Sequence, residues 1–161
     1  MRKILAILTL AVSIILTGCS TAATAADSPD YDDGDMLVIS ERFFASRVND
    51  ILMNPQQYIG RTIQYEGMFA SFPDILNGGY FHIVYRYTEG CCGPFEPLGF
   101  GLTLNGIEPL PNDSWVQVVG EVQAIEHAEF TVIRIYVDTL TEMDERGEEF
   151  VSGWGFQEGV R

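Results

Sequence analysis

This sequence predicts a mainly β fold, a small five-stranded barrel with one amphipathic helix before the strands. Apolar side chains repeat with helical spacing before Asn54-Pro55. After Gly60 the pattern changes to alternation, which is typical of strands. Five such segments follow, separated by turn residues, whereas a β-sandwich usually has seven strands. We therefore predict an OB-like antiparallel barrel.

The helix is expected over residues 41–53, with Ser40 as its N-cap. Its apolar stripe consists of Phe44, Val48, Ile51 and Leu52. The strands are expected at residues 62–69, 80–88, 99–104, 115–125 and 130–140. Gly67 and Gly120 fall within two of these strands, where a barrel strand bends sharply around a corner.

In the second strand, Phe81, Ile83 and Tyr85 form the apolar set and are predicted to face the core. His82 is then expected on the opposite face, together with Arg86. OB barrels usually bind ligands on the face of strands two and three. Arg86 is therefore a candidate ligand contact.

Two further candidates fall in the loops that flank this face. Asp74 lies between strands one and two, and His127 lies between strands four and five. These loops also contribute to the usual ligand surface of OB barrels. Both residues are either ligand contacts or ordinary solvated turn residues.

The first eighteen residues are typical of a bacterial lipoprotein signal. Arg2 and Lys3 precede an apolar run, and Leu16-Thr17-Gly18-Cys19 resembles a lipobox. An uncleaved transmembrane helix is the alternative, but the 13 apolar residues from Ile4 to Leu16 are fewer than the roughly twenty that a bilayer requires. Cys19 is predicted to be lipidated, which anchors the protein on the extracytoplasmic face of the cell membrane.

Removal of 18 of the 161 residues leaves enough chain for one domain. Residues 19–37 are predicted to be the lipidated cysteine and an acidic flexible tether, and residues 38–161 the globular domain with a C-terminal tail. The tail segment Gly153-Trp154-Gly155-Phe156 is either frayed or docked on the barrel through its aromatic side chains. Docking is favoured.

Charge and composition exclude several functions. The net charge of −14 becomes −16 when Arg2 and Lys3 are removed with the signal. So negative a surface repels phosphate backbones, which argues against a nucleic-acid partner. Lys3 is the only lysine, and there is no P-loop or Ser-His-Asp pattern. We expect a protein that is not an enzyme.

Cys91 and Cys92 are the only thiols that remain when Cys19 is lipidated. In one interpretation they bind a soft metal ion, Zn(II) or Cu(I). In the second they form a vicinal disulfide, and in the third they are inert thiols that close a turn. Side chains that could complete a metal site are His82, Glu89 and Glu96.

Several motifs are shared with one bacterial family. They are Asn54-Pro55-x-x-Tyr58-x-Gly60-x-x-Ile63-x-x-x-Gly67, Arg86 before Cys91-Cys92, Gly99, and Trp115-Val116-x-Val118-x-Gly120. Over roughly residues 38–140 the chain resembles the extracytoplasmic C-terminal domain of predicted bacterial permease subunits, a largely uncharacterised family. The resemblance implies an OB-like domain, and its multi-pass partner resembles permeases linked to metal or metalloid export.

The chain is also similar to stand-alone lipoproteins of this type, which end with the element Arg146-Gly147 and Glu149-Phe150-Val151. The permease subunits usually carry Ala-Asp after the cysteine pair, whereas Gly93-Pro94-Phe95-Glu96 follows it here. A carboxylate ligand of the family is therefore not carried over to this chain, which also lacks the family's membrane helices.

These observations favour a membrane-anchored binding or accessory module, associated with a membrane permease or another envelope protein. The alternative is a thiol-redox or soft-metal-handling protein that uses Cys91 and Cys92. A purely structural envelope protein is a third interpretation.

Overall fold

Five long strands close into a barrel in the computed structural model, which describes residues 30–32, 34–75, 78–88, 95–127 and 130–152. The elements along the chain are β1 (Tyr31–Asp32), β2 (Met36–Val38), α1 (Phe44–Met53), β3 (Thr62–Pro73), β4 (Tyr80–Thr88), β5 (Glu96–Thr103), β6 (Trp115–His127), β7 (Phe130–Glu142) and β8 (Phe150–Val151). Around the barrel the neighbours are β3, β6, β7, β5 and β4, and β4 pairs with β3 again. All five pairs are antiparallel except β5 with β7. The predicted fold class is confirmed.

The bends of the barrel strands lie where the sequence places glycine. Gly67 precedes Met68, the residue at which β3 changes partner from β6 to β4. Gly120 lies at a register shift between β6 and β7, where a Cβ atom would come within 2.4 Å of the Tyr136 carbonyl oxygen. Only glycine fits at this position, because any side chain would collide with the neighbouring backbone. The bulge at the same position lets the strand curve.

Helix α1 packs against the barrel through its buried residues Phe44, Val48 and Ile51. The Phe44 ring lies 6.2 Å from Tyr65, a barrel residue that is itself fully buried. Leu52, which was predicted to belong to the same stripe, is 40% exposed. One turn of 3₁₀ helix, Glu41–Phe43, precedes α1.

Ser40 does not cap the helix through its side chain, contrary to expectation. Its hydroxyl donates instead to Asp30 Oδ1 (2.9 Å), and its backbone N–H donates to the same oxygen (2.9 Å). The second oxygen of Asp30 accepts from Arg47 of α1 (3.0 Å). These bonds fix the chain segment before the helix.

The folded part starts earlier than the predicted boundary at residue 38. Met36–Val38 pairs in parallel with the start of β3, and Leu37 is fully buried. Tyr31–Asp32 adds a further antiparallel strand to the same edge. The acidic composition of this stretch hid the single buried leucine, so that the predicted tether included residues of the folded domain.

The predicted facing of β4 is wrong. Val84 and Arg86 are buried, while Phe81, Ile83 and Tyr85 lie on the outer surface and are only partly covered. Since strand side chains alternate between faces, His82 shares the inner side with Val84. Within the described part of the chain, no helix is long and apolar enough to cross a membrane.

Candidate functional site

The outer surface of β4 and its neighbours carries an apolar groove of about 270 Å³. The pairing of the strands explains the groove, since Phe72 of β3 lies opposite Phe81 and Pro97 of β5 lies opposite Tyr87. We call the lining the aromatic groove; it consists of Phe72, Phe81, Ile83, Tyr85, Tyr87 and Pro97. Because β4 and β5 are the second and third barrel strands, this is the face on which OB barrels usually bind ligands.

Glycine in β5 gives the aromatic rings room on this face. A Cβ atom on Gly99 would lie 2.1 Å from the Val84 carbonyl oxygen and 2.9 Å from the Tyr85 Cβ. On Gly101 it would meet the Phe81 ring at 3.0 Å. Gly99 therefore permits close approach of the β4 backbone, and Gly101 leaves room for the Phe81 ring.

Arg134 of β7 covers one end of this surface. Its guanidinium carbon lies 5.2 Å from the centre of the Phe81 ring, within the range of a cation–π contact. The same arginine contributes to lowering the pKa of His82, an effect that is secondary to the partial burial of the imidazole.

At its other end the groove continues into a cluster of exposed aromatic rings. Tyr87 stacks on Phe150 of β8 (5.4 Å between ring centres), and Phe150 meets Phe95 edge-on (4.6 Å). Phe95 and Phe150 are each about half exposed. The apolar surface thus extends from the groove to the end of β4, beside the segment that contains the cysteine pair.

Two tyrosines lie at the centre of this surface. The hydroxyls of Tyr85 and Tyr87 are 3.5 Å apart, and their rings meet edge-on. Partial burial, with help from the bond to Tyr87 and from the negative charges of Asp113 and Glu149, raises the pKa of Tyr85 to about 12. Tyr85 is therefore neutral at physiological pH and offers a hydroxyl to the apolar groove that it lines.

On the inner side of β4, Arg86 forms a buried ion pair. Its Nη1 donates to Glu41 Oε2 (2.9 Å) and to the Glu148 carbonyl (3.0 Å), and its Nε donates to the Glu66 carbonyl (2.9 Å). The guanidinium also lies over the rings of Phe44 (5.0 Å) and Trp115 (4.8 Å). Burial lowers its pKa, an effect that Glu41 opposes.

The bonds of Arg86 determine its role. They join the 3₁₀ turn before α1 and the segment before β8 to the barrel. Glu41 Oε2 also accepts from the backbone N–H of Glu148 (2.8 Å). Arg86 is thus a structural residue in a strand, and none of its described contacts opens onto the aromatic groove.

The structure does not bring His82 to the cysteine end of β4. His82 is six residues from Thr88, about 20 Å along the strand. Its ring packs beside Phe69 (5.9 Å) and Tyr80 (6.5 Å). Its Nδ1 is buried and has no hydrogen-bond partner among the described residues.

The remaining candidates lie apart from one another. Asp74 sits in the turn between β3 and β4, where its N–H donates to the Gly79 carbonyl (3.0 Å) and its own carbonyl accepts from the Gly78 N–H (2.8 Å). His127 is the last residue of β6, paired with Phe130. Glu96 opens β5 opposite Thr88 and is exposed. Cys19, Glu89, Cys91 and Cys92 lie outside the described residues.

No group of three His, Cys, Asp or Glu side chains that could hold a metal ion occurs among the described residues. Of the side chains that were expected to complete a site with the cysteines, Glu96 alone is described next to their segment. His82 lies about 20 Å along β4 from Thr88, the last described residue before that segment.

Comparison with known families gives a match over most of the chain. Residues 18–152 match the family model of the DUF1980 C-terminal domain. This chain belongs to that family. Its members are uncharacterised, so membership establishes the relationship and assigns no activity. No curated protein matches the chain.

For this DUF1980 C-terminal domain, the matched range includes the C-terminal element as well as the barrel. Arg146 pairs with Glu149 and with Asp113 (3.1 Å). The Glu149 carbonyl accepts from the Tyr87 N–H (2.8 Å), and β8 then pairs in parallel with Tyr87 and Thr88. The element therefore supports the end of β4 just before the cysteine segment.

Sequence reasoning missed the aromatic groove. The apolar residues at every second position of β4 look like a core pattern. Only the residues that pair with them on β5 contradict it. The signal was in β5, where Gly99 and Gly101 alternate with Phe100 and Leu102. Bare backbone on one face of a strand indicates that large side chains of its neighbour lie across it.

Proposed function

We propose that this domain is a membrane-anchored, extracytoplasmic binding module that holds a partner protein in the aromatic groove. The observation that carries the proposal is a set of aromatic side chains on the outer face of β4, where a folded barrel gains nothing from exposing them. The groove is smaller than the roughly 300–1,000 Å³ of small-molecule pockets. Its size suits one or two apolar side chains of a protein segment.

Charge defines the partner further. The chain carries a net charge of −14. An apolar segment flanked by basic residues complements such a surface, since opposite potentials speed encounter and disfavour acidic partners. A permease or another envelope protein is the proposed source of such a segment, because a lipid anchor would hold the domain at the membrane surface.

Site-specific photocrosslinking in cells tests this proposal. A photoreactive residue in place of Phe72, which is about half exposed in the groove, is expected to give one discrete adduct with a membrane protein. The matched control replaces Met53 of α1, an exposed apolar residue outside the groove. Equal adducts from both positions would contradict a specific groove partner. So would the absence of an adduct from position 72, provided that it persists when Trp154 and Phe156, the aromatic residues of the tail that could cover the groove, are replaced by serine.

A second candidate function uses Cys91 and Cys92 for soft-metal binding or thiol redox chemistry. It is favoured by the support at the ends of their segment, where Thr88 is held by β5 on one side and β8 on the other. Native mass spectrometry with and without reductant and chelator tests it. A chelator-sensitive metal adduct or a reductant-sensitive mass shift of one disulfide supports this function, and an unchanged mass in every condition eliminates it.

A further inference from the structure

The aromatic groove and the exposed rings beside it form an apolar surface at the point where the described chain ends. Phe72, Phe95 and Phe150 are each about half exposed, and the aromatic groove connects them. A contiguous exposed apolar surface of this kind is usually covered by something. The protein's own C-terminal residues start beside it.

The position of β8 fixes that starting point. Val151 pairs with Thr88, and Phe150 stacks on Tyr87, which lines the groove. Nine residues, 153–161, follow Ser152. Fully extended they span about 30 Å, whereas the groove runs about 20 Å along β4 from Phe81 to Tyr87. The segment is therefore long enough to turn back over the whole groove.

The chemistry of these nine residues suits an aromatic surface. Trp154 and Phe156 stand two apart, the spacing that places both rings on one side of an extended chain. Gly153 and Gly155 flank Trp154 and permit the tight reversal that the direction of β8 requires. Glu158 and Arg161 are the only charged side chains of the segment, so it escapes most of the repulsion that an acidic segment would meet.

We propose that residues 153–161 occupy the aromatic groove, with Trp154 and Phe156 inserted among the rings of β4. The C-terminal segment and an external partner then compete for one surface. This inference rests on the groove being the binding site of the proposed function. It adds that a partner must compete with this segment for the groove.

Trp154 provides its own probe in the full chain. The chain contains two tryptophans, and Trp115 is buried, so the difference between the native protein and Trp154→Phe isolates the emission of Trp154. We expect the emission of Trp154 to be blue-shifted relative to the denatured chain and its ring to be protected from quenching by acrylamide. Phe72→Ser and Ile83→Ser in the groove should shift this emission to that of the denatured chain, and Met53→Ser should leave it unchanged.

Three outcomes would overturn the inference. The first is that Trp154 in the folded protein emits at the wavelength of the denatured chain. The second is that Trp154 is equally protected from acrylamide in the native protein and in the groove variants. The third is that this protection rises with protein concentration. The last outcome would place the segment on a second copy of the chain. An intramolecular crosslink from position 72 to residues 153–161 in the purified protein would support it.

The inference and the proposed function can fail separately. Trp154→Ser with Phe156→Ser should increase the intermolecular adduct from position 72 if both are right, with Gln157→Ser as the control. An adduct of unchanged yield rejects occupancy by the C-terminal segment and keeps the partner. Trp154 protection without any adduct, even in the double variant, keeps the segment and rejects the partner.

Discussion

Neighbouring residues of β4 perform opposite tasks because alternate side chains leave a strand on opposite faces. Tyr85 contributes to the aromatic groove, whereas Arg86 binds Glu41 and the Glu148 carbonyl on the inner side. Arg86 was singled out from the sequence, but its role was not. Its carboxylate partner is 45 residues away in sequence, and no local pattern reports such a contact.

Arg86→Ala is expected to destabilise the domain by about 3–5 kcal/mol, because it leaves Glu41 and two carbonyl oxygens without a buried cation. Arg42→Ala is the matched control, since Arg42 is exposed and its loss should change stability by no more than about 0.5 kcal/mol. Denaturant titration measures both. A loss below about 1 kcal/mol for Arg86→Ala would show that the ion pair is not buried in solution.

Tyr85 makes stability depend on pH in the alkaline range. Its pKa is raised from 10.0 to about 12 in the folded protein, so its stabilising contribution is complete below pH 10 and is lost as pH rises towards 12. The unfolding free energy of Tyr85→Phe should therefore decline less steeply than that of the native protein. Burial also raises the pKa of Tyr65, so some decline remains. Equal slopes for both proteins would contradict the raised pKa of Tyr85.

At the level of elements, the helix and the five barrel strands could be predicted to within a few residues, whereas the short strands β1, β2 and β8 and the facing of β4 could not. Helix and strand periods depend on local alternation, which the sequence displays directly. The facing depends on which side of the strand the rest of the barrel covers. Phe81, Ile83 and Tyr85 are more apolar than His82, Val84 and Arg86, yet the second set is directed inward. Functional surfaces are where local pattern and global fold are expected to disagree.

The two glycines of β5 give an element-scale test of the groove. Gly99→Ala should cost about 3 kcal/mol, because its Cβ would collide with the fixed Val84 carbonyl at 2.1 Å. Gly101→Ala should cost about 1 kcal/mol, because it meets the edge of the Phe81 ring at 3.0 Å and that ring can move outward. Thermal and denaturant unfolding provide the comparison. Equal losses would mean that β4 and β5 are not packed as closely as the structure has them.

At the level of the whole molecule, the barrel followed from five alternating segments, while the start of the domain did not. Asp30 binds Ser40 and Arg47, and Leu37 is buried, so the folded part begins at or before residue 30. With Cys19 as the lipidated residue, ten residues, 20–29, would join the barrel to the membrane. A flexible chain of that length has a root-mean-square span of about 17 Å. The aromatic groove would then lie within reach of a partner at the membrane surface.

Cys19→Ala is expected to release the protein from the membrane without unfolding the barrel. The protein should no longer incorporate labelled palmitate and should be absent from the membrane fraction, because the diacyl group at this cysteine is the proposed anchor. The circular dichroism spectrum and thermal midpoint should stay unchanged, since Cys19 precedes Asp30, the first residue with described contacts. Cys91→Ala and Cys92→Ala serve as controls that keep the label. A labelled, membrane-bound Cys19→Ala protein would exclude lipidation at this cysteine, and the partner of the groove would then have to be sought independently of a lipid anchor.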